Sequence, residues 1–102
     1  MDRTLIRYQV RPQQQDENER LVREVFDALH GQPIEGLRYL AWRLDDGSHF
    51  HLVGTEPATP RDALLELAPF RRFQAGVRER CMVQPEAGRI TLIGNFRMLA
   101  DG

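Results

Sequence analysis

The sequence predicts an α+β domain in the order strand, helix, strand, strand, helix, strand. Three observations carry this. Residues 4–11, TLIRYQVR, alternate apolar and polar side chains, the period-two mark of a half-buried strand. Leu21, Val22, Val25, Phe26 and Leu29 recur at helical spacing and form one apolar stripe. Two strand-like runs flank the DDG turn at Asp45 to Gly47, which reads as a hairpin.

Each element has its own warrant. Pro12 ends the first strand, because proline cannot donate to a ladder. Asp16 and Glu19 stand three apart, as in a capping box. Gly31 and Pro33 close that helix. LRYLAWRL (Leu37 to Leu44) and SHFHLVGT (Ser48 to Thr55) are the hairpin strands. Thr59 then stands as an N-cap with Pro60 at the first helical position. Pro69 interrupts, and Phe70, Phe73 and Val77 follow at i, i+3 and i+7. The spacing predicts a short helix, a break and a longer helix to about Arg80. VQPEAG (83–88) reads as a loop and RITLIGNFRML (89–99) as the last strand, with Ile90, Leu92, Gly94 and Phe96 on one face. This order is the ferredoxin-like split βαβ arrangement: a four-stranded antiparallel sheet ordered 4-1-3-2, with both helices on one face.

The turn decides the hairpin register. A two-residue Asp46-Gly47 turn sets Trp42 opposite His51. A three-residue loop, Asp45-Asp46-Gly47 with Gly47 left-handed, pairs Trp42 with Phe50, Leu40 with Leu52 and Arg43 with His49. The second is preferred, because it makes one wholly apolar face of Leu40, Trp42, Leu44, Phe50 and Leu52. That face, with Ile6, Tyr8, Val10, Ile90, Leu92 and Phe96, is expected under the helices. Tyr39, Ala41, Arg43, His49, His51, Val53, Asn95 and Arg97 are expected on the open face. Such a mixed face suits packing against a second copy with a lined cavity between.

Composition narrows the chemistry by exclusion. The 102 residues make one domain, 1–102, small enough to bury only about 65% of its unfolded surface. A net charge of −1 gives no general attraction to nucleic acid or to an acidic membrane. No apolar run approaches the roughly 20 residues of a membrane span, and MDRTLIRYQV has no long apolar core of a signal peptide. Cys81 is the one cysteine, which fits a cytoplasmic protein. All 14 basic residues are arginine, which removes Schiff-base and P-loop lysine chemistry. Ser48, the one serine, is no partner for His49, since adjacent strand residues point to opposite faces. Cys81 sits on the apolar side of a helix end and reads as packing.

The whole chain, over roughly residues 3–98, resembles the dimeric α+β barrel superfamily, which includes antibiotic-biosynthesis monooxygenase-type proteins and muconolactone isomerase-like enzymes. The element order, the broken second helix TPRDALLELAPFRRFQAG and the two-faced sheet carry the resemblance. It implies a homodimer whose sheets face each other around a pocket. Haem-degrading members mark their site with an asparagine, a tryptophan and a helix-borne histidine. Asn95 and Trp42 are present, but no histidine falls in the second helical region, so haem is not expected.

His51 is the candidate acid/base, since an unperturbed imidazole titrates near neutrality. Tyr39, Arg43, His49, Asn95 and Arg97 are the candidate substrate-binding residues, with arginine suited to an anionic oxygen. A zinc site on His49 and His51 lacks a third ligand, so neither metal nor cofactor is expected. The resulting expectation is a cofactor-independent monooxygenase- or isomerase-like enzyme acting on a small apolar or aromatic molecule. The alternatives are a non-catalytic ligand-binding homodimer and, through the histidine pair, a metal-dependent activity.

Overall fold

The computed structural model describes residues 1–60 and 62–99. The single-domain reading runs past these at 100–102, and Arg61 of the quoted helical stretch also lies outside them. β1 (Asp2–Val10) is central in a four-stranded antiparallel sheet, between β3 (Ser48–Thr55) and β4 (Cys81–Arg89). β2 (Leu37–Arg43) pairs with β3 and forms one edge, giving the order β2-β3-β1-β4. This is the expected 4-1-3-2 sheet read from its other edge. The helices α1 (Gln15–Gly31) and α2 (Ala68–Arg80) pack on one face.

The hairpin turns as its chemistry requires. Gly47 has φ +89°, a left-handed conformation that costs other residues about 1–2 kcal/mol. Leu44 N–H donates to Ser48 O at 2.8 Å and Gly47 N–H to Leu44 O at 3.2 Å. The Asp46 carboxylate accepts the Ser48 N–H at 2.9 Å, and that bond holds its carboxyl below the usual range. Leu40 faces Leu52, Trp42 faces Phe50 and Arg43 faces His49, the register of the three-residue loop.

The faces of that hairpin are the reverse of the expectation. β1 places Ile6 opposite His51 and Tyr8 opposite His49, so the histidines share the face of Ile6, Tyr8 and Val10, under the helices. Leu40, Trp42, Phe50 and Leu52 take the open face, with Leu40 51% and Trp42 40% exposed. The physical reason is pairing. Polar side chains enter a core when their hydrogen bonds are met there; Tyr8 on β1 and Tyr39 on β2 meet those of His51, and the helices add Asn18 and Arg80 behind Tyr8.

The last strand is also displaced. α2 ends at Arg80 and the chain turns directly into β4, so that Cys81 faces Val10. The segment 83–88, expected as a loop, lies in β4, an edge strand that accommodates Pro85. Its register shifts between Arg7↔Glu86 and Gln9↔Val83, and proline is tolerated at such edges and bulges. Ile90 N–H donates to Arg3 O at 3.0 Å. Beyond it, residues 91–99 carry no strand pairing among the described residues. Asn95 Oδ1 accepts the Met98 and Leu99 N–H groups at 3.1 and 3.0 Å, and Ile93 is fully exposed.

Helix ends differ in detail. A 3-10 turn over Pro12–Gln14 leads into α1, which has no side-chain cap; Asp16 and Glu17 occupy its first turn, where the helix dipole favours negative charge. The Thr59 hydroxyl, expected as a helix cap, donates to the Glu35 carbonyl at 3.2 Å. The short second helix is a 3-10 turn over Ala63–Glu66, and Pro69 then falls in the first turn of α2, where its missing N–H costs nothing. Tyr8, Val10, Leu21, Val25, Phe73 and Cys81 form the buried core.

Candidate functional site

A cleft of about 700 Å³ opens between α1 and the β2 edge of the sheet. Val22, Phe26 and His30 line it from the helix, one or two turns apart on the same side. Ala41 and Arg43 line it from β2, and His49 and His51 from β3. At its mouth the Arg43 guanidinium donates to the Glu19 carboxylate, tying the edge strand to the helix. Of the candidate residues, Arg43, His49 and His51 meet at this cleft. Tyr39 stands next to it, its ring 4.8 Å from that of Phe26. Asn95 and Arg97 do not line it: the strand expected to carry them is not formed, and Arg97 has φ +66° in the tail. The site therefore lies beneath a helix, not on the open sheet face.

His51 is buried, with both ring nitrogens engaged. Tyr8 Oη lies 2.7 Å from Nε2 and Tyr39 Oη 2.6 Å from Nδ1. The chain of contacts continues inward. Asn18 Nδ2 donates to Tyr8 Oη at 3.0 Å. Arg80 Nε donates to Asn18 Oδ1 at 3.0 Å, and its Nη2 to the Phe73 carbonyl at 2.8 Å. The guanidinium also lies over the Phe73 ring, 5.4 Å from its centre. Burial, then the neighbouring His49, pulls the His51 pKa down to about 4, so the ring is neutral near pH 7. Burial raises both tyrosines above their usual value. With both nitrogens taken, His51 has no lone pair to offer a metal. No group of three or more His, Cys, Asp or Glu side chains fit to hold one occurs among the described residues.

His49 is in a different state. Its ring stacks on Tyr8 at 5.2 Å and 18°. Nδ1 lies 2.9 Å from the Gly47 carbonyl, which only accepts, so Nδ1 carries the proton. Nε2 is buried without a hydrogen-bond partner. Burial lowers its pKa most, the Gly47 bond and Glu19 work against that, and Arg43 adds to the lowering. In the neutral ring the Nε2 lone pair is therefore left unpaired inside the protein.

Asn18 and Arg80 were missed by the reading of the sequence, and a signal for both was there. Asn18 falls three and seven residues before Leu21 and Val25, on the apolar stripe of α1. Arg80 falls three and seven after Val77 and Phe73 on that of α2. A polar residue on a core stripe announces a partner inside.

No family model matches the chain, and no curated protein matches its sequence. Solved structures do match its shape. An antibiotic biosynthesis monooxygenase superposes with TM-score 0.69 at 17% identity, over 92% of this chain and 100% of that one. A mutant of SnoaB, a cofactor-independent oxygenase from Streptomyces nogalater, gives 0.63 at 20% identity, over 94% and 96%. A conserved protein from Methanosarcina mazei Go1 gives 0.71 at 15%, over 87% and 89%. The fold is thus the ferredoxin-like α+β fold of antibiotic biosynthesis monooxygenase-like proteins. At these identities the likeness speaks for the fold, and the same fold carries many chemistries.

Proposed function

We propose that the chain is a cofactor-independent enzyme of the monooxygenase or isomerase type, acting on a small apolar or aromatic molecule in the cleft between α1 and the β2 edge. One observation carries the reading. In a cleft lined by Val22, Phe26 and Ala41 together with charged side chains such as Glu19 and Arg43, a neutral histidine is clamped between two tyrosine hydroxyls, beside a second histidine whose Nε2 has no hydrogen-bond partner. Chemistry of this type needs a proton moved and an oxyanion held. His51, acting through Tyr39, is the acid/base group; His49 and Arg43 orient the substrate. Oxygen uptake and product formation on a panel of small hydroxyarenes, without added metal or flavin, test the reading. His51→Ala should lower turnover by about 10²–10⁴-fold. Unchanged turnover removes His51 from the chemistry.

The second reading is a non-catalytic ligand-binding homodimer. The open sheet face favours association: Leu40, Trp42, Phe50 and Leu52 form an apolar patch in which Trp42 stacks on Phe50 at 5.5 Å. Ligand retained without conversion across the same panel would favour it. Either protein works in the cytoplasm. No helix among the described residues is long and apolar enough to cross a membrane.

A further inference from the structure

The buried chain Arg80–Asn18–Tyr8–His51–Tyr39 has a direction, and the donors at its inner end decide it. A guanidinium has no acceptor, so the Asn18 atom facing Arg80 is the carbonyl oxygen, and the amide NH₂ is turned toward Tyr8. The Tyr8 oxygen therefore receives a hydrogen bond, and its own O–H needs an acceptor. His51 Nε2, at 2.7 Å, is the acceptor within reach. Nε2 then carries the lone pair and Nδ1 the proton, and Nδ1–H donates to the Tyr39 oxygen at 2.6 Å. The opposite order would put two donors on the Tyr8 oxygen and leave its O–H buried with nothing to accept it, in a residue only 3% exposed. Buried polar groups rarely go unpaired.

In this order the Tyr8 O–H and the His51 N–H are both spent on the next member of the chain, and the Tyr39 hydroxyl, which only receives, keeps its own proton to donate. Tyr39 is half-buried, against Phe26 and His51, both of which line the cleft. We propose that Asn18 and Arg80 are positioning residues that set the proton order of the Tyr8–His51–Tyr39 chain, so that the Tyr39 O–H is held as a donor for an acceptor oxygen, such as a carbonyl, of the cleft ligand. The inference rests on the cleft being the functional site, and it assigns the outermost proton to Tyr39 from residues on the far side of the core. Neither Asn18 nor Arg80 touches the ligand.

An isosteric change reverses the order. In Asn18→Asp the new carboxylate can only accept. It keeps Arg80 paired, now charge to charge, and draws the Tyr8 O–H toward itself. His51 must then carry its proton on Nε2 to donate to the Tyr8 oxygen. Nδ1 becomes the acceptor, and the Tyr39 O–H is pulled back onto it. Nitrogen-15 NMR of the histidine rings reads this directly and needs no substrate. The wild-type protein should show His51 protonated on Nδ1, and the folded Asn18→Asp protein should show it on Nε2. A purely structural Asn18 would leave the tautomer where it is. Nε2 protonation in the wild-type protein overturns the proposal by itself, whether or not the variant folds. The same tautomer in both folded proteins also overturns it. Absence of turnover with the proposed tautomers would count against the enzymatic reading and leave the proton order standing.

Discussion

The hydroxyl of Tyr8 and Nε2 of His51 lie 2.7 Å apart in the core, joining adjacent strands through their side chains as well as their backbones. Tyr8→Phe keeps the ring and its stack on His49 but removes that hydroxyl. It leaves a buried Asn18 amide proton and a buried His51 nitrogen unpartnered. A loss of about 1–3 kcal/mol per stranded group is expected, read as a lower midpoint in urea unfolding. A midpoint equal to that of the unaltered protein would mean that the chain contributes nothing to stability.

Stability should fall with acid in a defined window. His51 titrates near 4 in the folded protein against 6.5 ordinarily, chiefly through burial, and His49 is lowered in the same direction. Between pH 6.5 and 4 the unfolded chain binds protons that the folded one refuses, so stability drops as pH falls through that range. Above it both states are neutral, and below it both are charged, so the dependence levels off at either end. At about 1.4 kcal/mol per tenfold change in proton affinity, His51 accounts for about 3 kcal/mol. Chemical denaturation at pH 7, 5.5 and 4 measures this.

His49 should separate stability from binding. His49→Phe preserves an aromatic ring against Tyr8 and deletes the unpartnered Nε2. The Gly47 carbonyl loses one donor but keeps the Val10 N–H at 3.2 Å. Stability is expected to stay within about 1 kcal/mol or to rise, since an unsatisfied buried group is removed. Any ligand or turnover found for the cleft should be lost. Calorimetric unfolding alongside a binding titration checks both halves.

Gly47→Ala should destabilise by about 1–2 kcal/mol from its positive φ alone. The added methyl would also approach the Gln15 side-chain nitrogen to 2.8 Å and the Val10 carbonyl to 3.3 Å. Thermal unfolding should show a lower midpoint with unchanged helix content by circular dichroism.

The open sheet face gives the test of assembly. Trp42→Glu puts a charge on an exposed position next to Leu40 and Phe50, so the fold should survive. A homodimer formed through that face should become a monomer in light scattering on a sizing column. A dimer in both proteins would place the interface elsewhere.

What could be read from the sequence follows a physical division. Strand pairing in the hairpin was legible because a DDG turn admits few registers, and one of them gathers Leu40, Trp42, Phe50 and Leu52 on a single face. Which face went inward was not legible from the hairpin. Leu40, Trp42, Phe50 and Leu52 are the more apolar set and by transfer energy belong inside. The set that is inside, with Tyr39, His49 and His51, is admitted by hydrogen bonds from Tyr8 and, behind it, Asn18 and Arg80, which lie 10 and 62 residues apart from Tyr8 and from Asn18 respectively along the chain. The last strand was misplaced for a related reason. Residues 89–99 have the stronger strand composition, but the direct exit from α2 into Cys81 puts the weaker segment in the ladder first. For the candidate site, the residue types of the cleft were legible at Arg43, His49 and His51, while its position beneath α1 depended on the faces.

Gly47 also bears on the two histidines. Its carbonyl receives both the Val10 N–H and the His49 Nδ1–H, so the tautomer of His49 is dictated by main chain. That of His51, two residues on, is dictated by side chains. Mutation can rewrite the second and can scarcely reach the first, since every residue at position 47 supplies the same carbonyl. The pair therefore divides into an inherited constant and an adjustable variable. Substitutions at Tyr8, Asn18 and Arg80 reach the proton order of His51 and leave the hydrogen bond that fixes His49 in place.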